Sequence, residues 1–345
     1  MLYSLISSFL FLLDPEKAHE KSLFLLERAY QTGLIRKNIP TLPCKWMGLP
    51  LENPVGLAAG LDKNGAFIDA LATFGFGFIE VGTVTPRPQP GNPKPRLFRL
   101  TREKAIINRM GFNNLGVDHL VQNLKKTRYR GILGINIGKN STTPLEEAIQ
   151  DYLTGLKKTY PYASYITINI SSPNTQRLRE LQAKENLSDL LYQLKEAQAH
   201  LAQQYGKYVP LALKIAPDLS EENIKDIATL ARTLQLDGLI ATNTSIDKSL
   251  LSLDKPEFIQ EGGISGAPLK EKADHVLTQL VQELDNSIPV VGVGGIIKGC
   301  DASRKLQLGA KAVQLYSGLV YRGPELVAEC VENCASLQKS RLNER

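Results

Sequence analysis

Short apolar runs alternate with amphipathic stretches along most of the chain, in a regular order of strand and then helix. The runs are rich in Val and Ile, as expected of parallel strands that are buried on both faces. We predict strands at residues 55–59, 78–82, 132–137, 165–170, 209–215, 238–242, 290–293 and 312–316. Apolar residues recur at helical spacing between them, for example over residues 145–160, 187–205, 221–234 and 269–284. Eight strand–helix units of this length predict an α/β fold of the (β/α)8 TIM-barrel type.

A doubly wound parallel sheet is the alternative arrangement for the same alternation. The G-x-G-x-x-G pattern of dinucleotide-binding sheets is absent, because the late run Gly292-Val293-Gly294-Gly295 has Ile297 where the third glycine belongs. We therefore expect a barrel domain over residues 36–345, preceded by a helical extension over residues 1–35.

Three segments lie outside the strand–helix alternation. A small hairpin is expected over residues 44–53, with Gly48-Leu49-Pro50 as its turn. Two long excursions, residues 83–114 and 243–269, follow the second and the sixth strand. In a barrel both excursions lie on the catalytic face, where long loops usually serve a site.

Residues 1–13 are strongly apolar. This segment is too short for a transmembrane helix of about 20 residues, and it lacks the basic start and the cleavage site of a signal peptide. Asp14 as N-cap and Pro15 as first helical residue predict a second helix, which ends near Gly33. The two helices either lie on a membrane surface or cover the bottom of the core.

The composition is that of an ordinary globular protein of 345 residues, with a net charge of +6 and a pI of about 9.0. A mildly basic balance suits anionic substrates, phosphate groups or an anionic membrane face. The basic clusters are short and lack interleaved aromatic residues, so we expect no nucleic acid partner. The four cysteines form no C-x-x-C pair and the four histidines are dispersed, so no metal site is predicted.

The stretch from Thr167 to Asn174 carries the clearest sign of a functional site. Its first half is apolar and β-branched, and Pro173 cannot continue a strand ladder. Four polar side chains therefore gather at one strand end, namely Asn169, Ser171, Ser172 and Asn174. In parallel α/β folds, ligands bind outside the carboxyl ends of the strands. A plain strand-ending turn is the alternative interpretation.

Asparagine recurs at the predicted strand ends and in the first excursion. The positions are Asn108, Asn113, Asn136, Asn169, Asn174 and Asn243. Because asparagine is unfavourable in strands, its repetition at these positions indicates a specific role. A neutral amide offers donors and an acceptor, so converging amides suit a pyrimidinedione or the edge of a flavin. Local turn chemistry is the alternative.

Two lysines and a set of late glycines add positive charge and backbone amides to this ring. Lys63 and Lys214 suit a carboxylate or a negatively charged flavin edge, although a Schiff base at either is the alternative. Glycines after the seventh and eighth strands, with Gly323-Pro324-Glu325 opening a final helix, predict a phosphate site. The ring has few acids, namely Asp62, Asp218 and Asp247. This scarcity argues against a hydrolase with paired carboxylates.

Several long sequence motifs, most of them at the predicted strand ends, are spread over nearly the whole chain. They read GLAAGLDK from Gly56, EVGTVTP from Glu80, NRMGFNN from Asn108, NISSPN from Asn169, KIAPD from Lys214, ATNT from Ala241 and GVGGI from Gly292. With them the chain resembles the dihydroorotate dehydrogenases. The soluble class of that family has a cysteine at the catalytic position, where this chain has Ser172. The resemblance is therefore to the quinone-dependent, membrane-associated class, which the apolar N-terminal helices also match.

The resemblance implies one FMN per chain and the oxidation of dihydroorotate to orotate in pyrimidine biosynthesis. It implies cofactor contacts from Ala59, Gly60, Leu61, Asp62, Lys63, Thr83, Asn136, Asn169, Lys214, Thr242, Gly266, Gly295, Tyr316 and Ser317. It implies substrate contacts from Lys63, Asn108, Arg109, Met110, Gly111, Phe112, Asn169, Asn174, Asn243 and Thr244. It makes Ser172 the base that takes the C5 proton, while C6 passes hydride to the flavin. Serine is a weak base, so its surroundings or a water relay must activate it.

The resemblance also implies a membrane quinone as final electron acceptor, which reaches the flavin through an apolar mouth formed by the N-terminal helices. His19 and Arg99 are the residues expected near the quinone head. Because the short N-terminus has no transit peptide, we expect peripheral attachment to the cytoplasmic side of a bacterial inner membrane. The alternatives are a Schiff-base lyase or isomerase, a membrane-binding protein without chemistry, and a dihydrouridine synthase.

Overall fold

The computed structural model describes residues 2–35, 41–251 and 260–343, with a closed parallel barrel at its centre. Its strands, in chain order, are β1 (Cys44–Trp46), β2 (Leu49–Leu51), β3 (Val55–Leu57), β4 (Phe78–Val84), β5 (Leu97–Leu100), β6 (Ala105–Asn108), β7 (Ile132–Ile137), β8 (Tyr165–Asn169), β9 (Leu211–Ile215), β10 (Gly238–Ala241), β11 (Gly263–Gly266), β12 (Val290–Val293) and β13 (Ala312–Leu315). Its helices, in chain order, are α1 (Leu2–Leu10), α2 (Pro15–Gln31), α3 (Ile68–Ala72), α4 (Val117–Leu124), α5 (Ala148–Thr159), α6 (Lys184–Tyr205), α7 (Glu221–Thr233), α8 (Lys270–Leu284), α9 (Gly299–Gln307), α10 (Ser317–Arg322) and α11 (Glu325–Asn343).

The barrel consists of β3, β4, β7, β8, β9, β10, β12 and β13, and it closes where β13 pairs with β3. All eight predicted strands are present, with ends within two residues of the predicted ones. Closure excludes the doubly wound sheet, which is open. The carboxyl ends of all barrel strands therefore meet at one face, and the predicted TIM barrel is confirmed.

Two apolar layers hold the barrel together. The outer layer lies between the strands and the surrounding helices, and includes Ile135 and Leu277. The inner layer fills the amino-terminal end of the barrel, where the Trp46 ring packs on Phe78 and Tyr165 with centroids 5.8 and 4.8 Å apart. Large apolar side chains thus close the bottom of the barrel, and its polar interior positions lie towards the top.

The hairpin that supplies Trp46 is present, but its turn lies earlier than predicted. Leu49 and Pro50 belong to β2, so the prediction of Gly48-Leu49-Pro50 as the turn is wrong. The turn residues are Met47 and Gly48, whose φ angles are 50° and 75°. Two positive φ angles are what a two-residue type I′ hairpin turn requires. Proline is tolerated in β2 because that strand is an edge of a two-stranded sheet.

The two long excursions form a sheet that the hydrophobic pattern did not predict. β6 pairs with β5 on one side and with β11 on the other, in an antiparallel three-stranded sheet. In this register Ile107 of the first excursion lies opposite Ile264 of the second. Residues 252–259 of the second excursion lie outside the described residues. The sheet joins the excursions that leave β4 and β10.

The N-terminal helices pack against the first excursion and not under the barrel. The Asp14 carboxylate caps α2 as predicted, because it accepts hydrogen bonds from the N–H groups of Glu16 and Lys17. The buried Glu16 carboxylate then forms a two-point ion pair with Arg96, at 2.7 and 3.1 Å. Since this pair fixes α2 beside β5, the alternative that these helices cover the bottom of the core is wrong.

Several large apolar side chains of this extension face solvent. They are Ile6, Phe9, Leu12, Phe24, Leu25 and Leu34. In the described parts of the chain, no helix is long and apolar enough to span a bilayer. The predicted boundary between residues 35 and 36 adjoins residues 36–40, which lie outside the described residues.

Candidate active site

A cavity lies at the carboxyl ends of the barrel strands, beneath the three-stranded sheet, and most of the predicted site residues line it. From the predicted cofactor set these are Ala59, Gly60, Lys63, Thr83, Asn169, Lys214, Thr242, Gly266, Gly295, Tyr316 and Ser317. From the predicted substrate set these are Lys63, Asn108, Met110, Gly111, Phe112, Asn169, Asn174, Asn243 and Thr244. Ser172 lines the same cavity. Barrel closure thus brings together residues that are up to 258 positions apart in the chain, from Ala59 to Ser317.

Hydrogen bonds join the polar side chains at the ends of β4, β7, β8 and β10 into one network. The Thr83 hydroxyl donates to Oδ1 of Asn136 at 2.6 Å, and Nδ2 of Asn169 donates to the same oxygen at 3.1 Å. Nδ2 of Asn243 donates to the Ser171 hydroxyl at 3.0 Å, which in turn donates to Oδ1 of Asn169 at 3.1 Å. Contacts within the protein thus fix the orientation of these amides, as a preorganised site requires.

Ser172 is buried, and its partners come from its own loop. Its Oγ accepts a hydrogen bond from the backbone N–H of Asn174 at 3.3 Å. Nδ2 of Asn174 donates to Oδ1 of Asn108 at 3.2 Å, which links this loop to the three-stranded sheet. Among the described residues, no histidine or carboxylate hydrogen-bonds to Ser172. The described part of the chain therefore contains no Ser-His-acid triad at this serine.

Lys214 is buried at the end of β9 and faces the cavity. No described residue accepts a hydrogen bond or an ion pair from its ammonium group. Burial lowers the pKa of Lys214, and the carboxylate of Glu80 opposes this fall. Glu80 is itself held inside the barrel by donors from Asn136, Tyr165 and Gln314, at 2.8, 2.9 and 2.7 Å. Because a buried charge without a partner is unfavourable, an anionic ligand in the cavity would stabilise this lysine.

Lys63 lies in the loop after β3 and lines the cavity. Burial lowers the pKa of Lys63 to about 8, and the nearby Glu16 carboxylate opposes this effect. The Arg96 guanidinium lowers the pKa further through its own positive charge. The ammonium group therefore remains mostly charged at neutral pH, and no described residue forms a hydrogen bond or ion pair with it. It is available to bind a carboxylate of a ligand.

Three residues from the predicted cofactor set do not line the cavity. Leu61 packs in the outer apolar layer of the barrel. The Asp62 carboxylate accepts hydrogen bonds from the N–H groups of Ala66 and Phe67, at 3.0 and 2.7 Å, and so shapes the loop after β3. Asn136 lies one layer below the cavity, in the network described above. The structure therefore gives these side chains supporting roles, because each points into the protein.

Arg109, from the predicted substrate set, also turns away from the cavity. Its guanidinium donates to the Pro95 carbonyl at 2.8 Å and to Gln260 Oε1 at 3.2 Å. It lies over the Phe98 ring, 4.9 Å from the centroid. Its neighbours in the chain line the cavity, so the alternation of side chains in extended backbone explains the difference.

The final helix does not contribute to a phosphate site as predicted, because the start of α11 does not reach the cavity. Gly323 lies instead against α1, where an added Cβ would be 2.3 Å from the Tyr3 ring. The cavity is lined on this side by Gly294, Gly295, Ser317 and Gly318. On this side the cavity wall therefore consists of these glycines and the start of α10, and the binding of a phosphate there stays a prediction.

His19 lies on α2 and Arg99 lies on β5 of the first excursion, and neither lines the cavity. The Arg99 guanidinium donates to the carbonyls of Leu10 and Phe11, at 3.2 Å each, so it caps the end of α1. Burial lowers the pKa of His19 to about 4, and the positive charge of Lys63 lowers it further. His19 is therefore neutral at physiological pH.

Sequence reasoning missed three residues beside or behind the cavity. Gln314 lines it, and its Oε1 is buried without a partner among the described residues. The buried hydroxyl of Thr175 has no such partner either. Arg179 bonds to two loops that carry predicted site residues. A glutamine inside an apolar strand could have been noticed, whereas Arg179 lies in a short 3-10 helix, Leu178–Gln182, that no periodic pattern in the sequence indicates.

Comparisons with known proteins agree on one family. The family model described as "Dihydroorotate dehydrogenase" matches residues 41–337. The chain is 57% identical over 335 residues to "Dihydroorotate dehydrogenase (quinone)" of Neisseria meningitidis serogroup C / serotype 2a, which covers 97% of this chain and 100% of the relative. It is 56% identical over 332 residues to the protein of the same name from Acinetobacter baumannii, covering 96% and 99%.

Solved structures with the same architecture are also similar. The crystal structure of DHODH from Eimeria tenella in complex with ferulenol superposes with a TM-score of 0.88 at 35% identity, covering 95% of this chain and 92% of the other. The ligand-free form from the same organism gives a TM-score of 0.87 at 37% identity, covering 95% and 96%.

Proposed function

This chain belongs to the dihydroorotate dehydrogenase family, and we propose that its barrel mouth oxidises dihydroorotate to orotate with a quinone as the final electron acceptor. It is an oxidoreductase, and its reaction belongs to pyrimidine biosynthesis. One observation carries the proposal at the level of residues. One cavity is lined by Ser172, by the amides of Asn108 and Asn174, and by two lysines that have no partner among the described residues.

FMN is the cofactor that this cavity fits, and three features support it. The ammonium group of Lys214, which has no described partner, matches the electron-rich pyrimidine edge of a flavin. The buried Oγ1 of Thr244 and Oε1 of Gln314 also lack partners among the described residues, as expected where a ligand supplies them. Backbone without side chains at Gly295, next to the Ser317 hydroxyl, suits a phosphate group. We therefore assign the predicted cofactor residues that line the cavity to FMN.

When bound, FMN would accept hydride from C6 of dihydroorotate and later deliver the electrons to quinone. The protein must supply an environment that favours negative charge on the pyrimidine edge. Lys214 does so from within a buried site, where a fixed positive charge acts more strongly than in water. Burial lowers the pKa of Lys214, and the Glu80 carboxylate beneath it opposes this fall and so favours the charged form of the ammonium group.

Substrate recognition follows from the charges and amides of the cavity. Lys63 binds the carboxylate of dihydroorotate, and Asn108, Asn174 and Asn243 bind its alternating N–H and C=O groups. Ser172 takes the proton from C5. The N–H of Asn174, which donates to Ser172 Oγ, stabilises the deprotonated form of this oxygen, so the hydroxyl gives up its own proton more easily as the oxygen takes the proton from C5.

The quinone approaches from the N-terminal extension, residues 1–35, while residues 36–345 form the catalytic barrel. His19 and Arg99 lie at the junction of the two, and we assign them to the quinone head. The exposed apolar side chains of α1 and the following turn suit the surface of a bilayer. We therefore propose peripheral attachment to the cytoplasmic side of a bacterial inner membrane.

Replacement of Ser172 tests the proposed chemistry. Ser172→Ala should slow turnover with dihydroorotate and a soluble quinone analogue by about 10²–10⁴-fold, the usual contribution of a general base, while orotate still binds. Ser303→Ala is the matched control, because Ser303 is a partly exposed serine on α9 that does not line the cavity, and it should leave turnover unchanged. Turnover of Ser172→Ala within twofold of the unmodified protein would remove Ser172 from the mechanism.

A further inference from the structure

We propose that Arg179 is a positioning residue, which holds the loop of Ser172 against the loops that follow β9 and β10. The inference rests on the proposed function, since it concerns how the base of that reaction is placed. Arg179 does not line the cavity and would contact neither substrate nor cofactor. Its role is to connect three loops that each follow a different barrel strand.

The Arg179 guanidinium uses each of its nitrogens for a different loop. Nε donates to the Ser171 carbonyl at 3.1 Å, in the loop after β8. Nη1 donates to Oδ2 of Asp218 at 2.8 Å, in the loop after β9. Nη2 donates to the Thr244 carbonyl at 2.8 Å, in the loop after β10. The planar fork of arginine offers donors in fixed directions, which a lysine cannot reproduce.

Asp218 anchors the Arg179 guanidinium, because further contacts hold its carboxylate in place. Its carboxylate also accepts from the N–H of Ile246 at 3.0 Å and from the Ser245 hydroxyl, and it pairs with Lys272 of α8 at 2.9 Å. Burial alone would raise the pKa of Asp218, but these donors and Arg179 together lower it. The carboxylate therefore stays ionised at neutral pH and anchors the guanidinium.

The two carbonyls that Arg179 binds are adjacent to the residues that meet the substrate. Ser171 precedes Ser172, and Thr244 follows Asn243. The Asn243 amide in turn donates to the Ser171 hydroxyl at 3.0 Å, so the same two loops are joined a second time on the cavity side. Arg179 thus fixes the distance between the base and the amides that hold the substrate.

The far end of the Ser172 loop is anchored separately. The N–H of Ala216 donates to Oε1 of Gln182 at 3.0 Å, again in the loop after β9. Loss of Arg179 would therefore release the segment nearest Ser172, while the loop as a whole remains attached. A displacement of about 1 Å at a reacting group can cost about 10²-fold in rate. The expected defect is consequently in the proton-transfer step and not in folding.

The test compares Arg179→Gln with Arg177→Gln in the full-length protein loaded with FMN. Arg177 is a matched control, because it is an exposed arginine two residues away whose ion pairs go to Glu180 and Glu146. Anaerobic stopped-flow would give the rate of flavin reduction at saturating dihydroorotate and the concentration for half-maximal rate. Thermal unfolding and flavin content would be measured on the same samples.

We expect Arg179→Gln to reduce the saturating rate by about tenfold to hundredfold, with a much smaller change in half-saturating concentration, flavin content and melting temperature. Arg177→Gln should match the unmodified protein. Arg179→Lys should give a saturating rate between those of Arg179→Gln and the unmodified protein, since lysine keeps the positive charge but lacks the planar fork of donors. It also provides the test if the glutamine variant does not fold.

Failure of the proposed function and failure of the positioning role give different results. If the unmodified protein is not reduced by dihydroorotate, the proposed function fails. If it is reduced and a folded Arg179 variant keeps the saturating rate within twofold, the positioning role is overturned. Equal losses in rate, melting temperature and flavin content would assign Arg179 a general structural role and would also overturn it.

Discussion

Lys63 and Lys214 face the same cavity, and burial lowers the pKa of both. In each case the charge of a carboxylate that is not in direct contact with the lysine opposes this fall in pKa. The carboxylate is that of Glu16 for Lys63 and that of Glu80 for Lys214. A direct ion pair would satisfy the lysine and remove its attraction for a ligand. A carboxylate held further away keeps the ammonium group charged and leaves it free to bind.

The pKa of Lys63 makes ligand affinity depend on pH. Below pH 8 the ammonium group is protonated and binds the carboxylate of orotate. As the pH rises through about 8 the free protein loses this proton, so the dissociation constant should rise by up to about tenfold per pH unit. Titration of orotate between pH 6.5 and 9 by the perturbation of the flavin spectrum measures this slope.

Lys63→Met is the control for that titration. It should bind orotate more weakly at pH 7 and show a flat profile, because no charge is lost near pH 8. A dissociation constant of the unmodified protein that stays level from pH 7 to 9 would contradict the role of Lys63.

The kinds of residue at the site were predictable, but the direction of each side chain was not. Asparagine in a strand and lysine at a strand end stand out because both are unfavourable there without a purpose. Asp62 and Arg109 belong to the same motifs as residues that line the cavity, yet both point elsewhere. Their directions depend on the backbone of irregular loops, which residue type alone does not determine.

At the scale of elements, the parallel strands were predictable because burial on both faces makes each a continuous apolar run. The sheet of β5, β6 and β11 was not, since its strands have four residues each and their partners lie more than 150 positions apart between β6 and β11. Too few residues alternate in such strands to show a period of two. The sheet matters for function, because Asn108 at the end of β6 reaches Asn174 beside Ser172.

The α1 helix and the turn after it present an apolar surface that we expect to bind lipid. Phe9 and Leu12 are 73% and 83% exposed. Their joint replacement by serine should reduce sedimentation with vesicles of anionic phospholipid by about tenfold or more, given the free energy of burying two large apolar side chains. Turnover with dihydroorotate and a soluble acceptor should be unchanged.

Tyr192→Ser is the control for this experiment. Tyr192 is 53% exposed on α6, on the outside of the barrel, and its hydroxyl donates a hydrogen bond to Glu196. Its replacement should leave vesicle binding unaltered. Equal binding of the Phe9/Leu12 double variant and the unmodified protein would contradict the proposed attachment.

At the scale of the whole molecule, the barrel has an apolar end and a polar end. Trp46 closes the amino-terminal end with large rings, while Glu80, Lys214 and the asparagine network occupy the carboxyl end. The N-terminal helices and the two excursions gather at that polar end, joined by the ion pair of Glu16 and Arg96. The sites that we propose for substrate, cofactor and quinone therefore lie on one side of the molecule.

We propose that this cavity holds FMN, which dihydroorotate reduces. The most direct measurement is the visible absorption spectrum of the purified protein without oxygen, before and after addition of dihydroorotate. We predict a flavin spectrum that bleaches on addition and returns when a quinone analogue is added. A flavin spectrum that persists with dihydroorotate, or no flavin even after reconstitution with FMN, would contradict the assignment of FMN and dihydroorotate to this cavity.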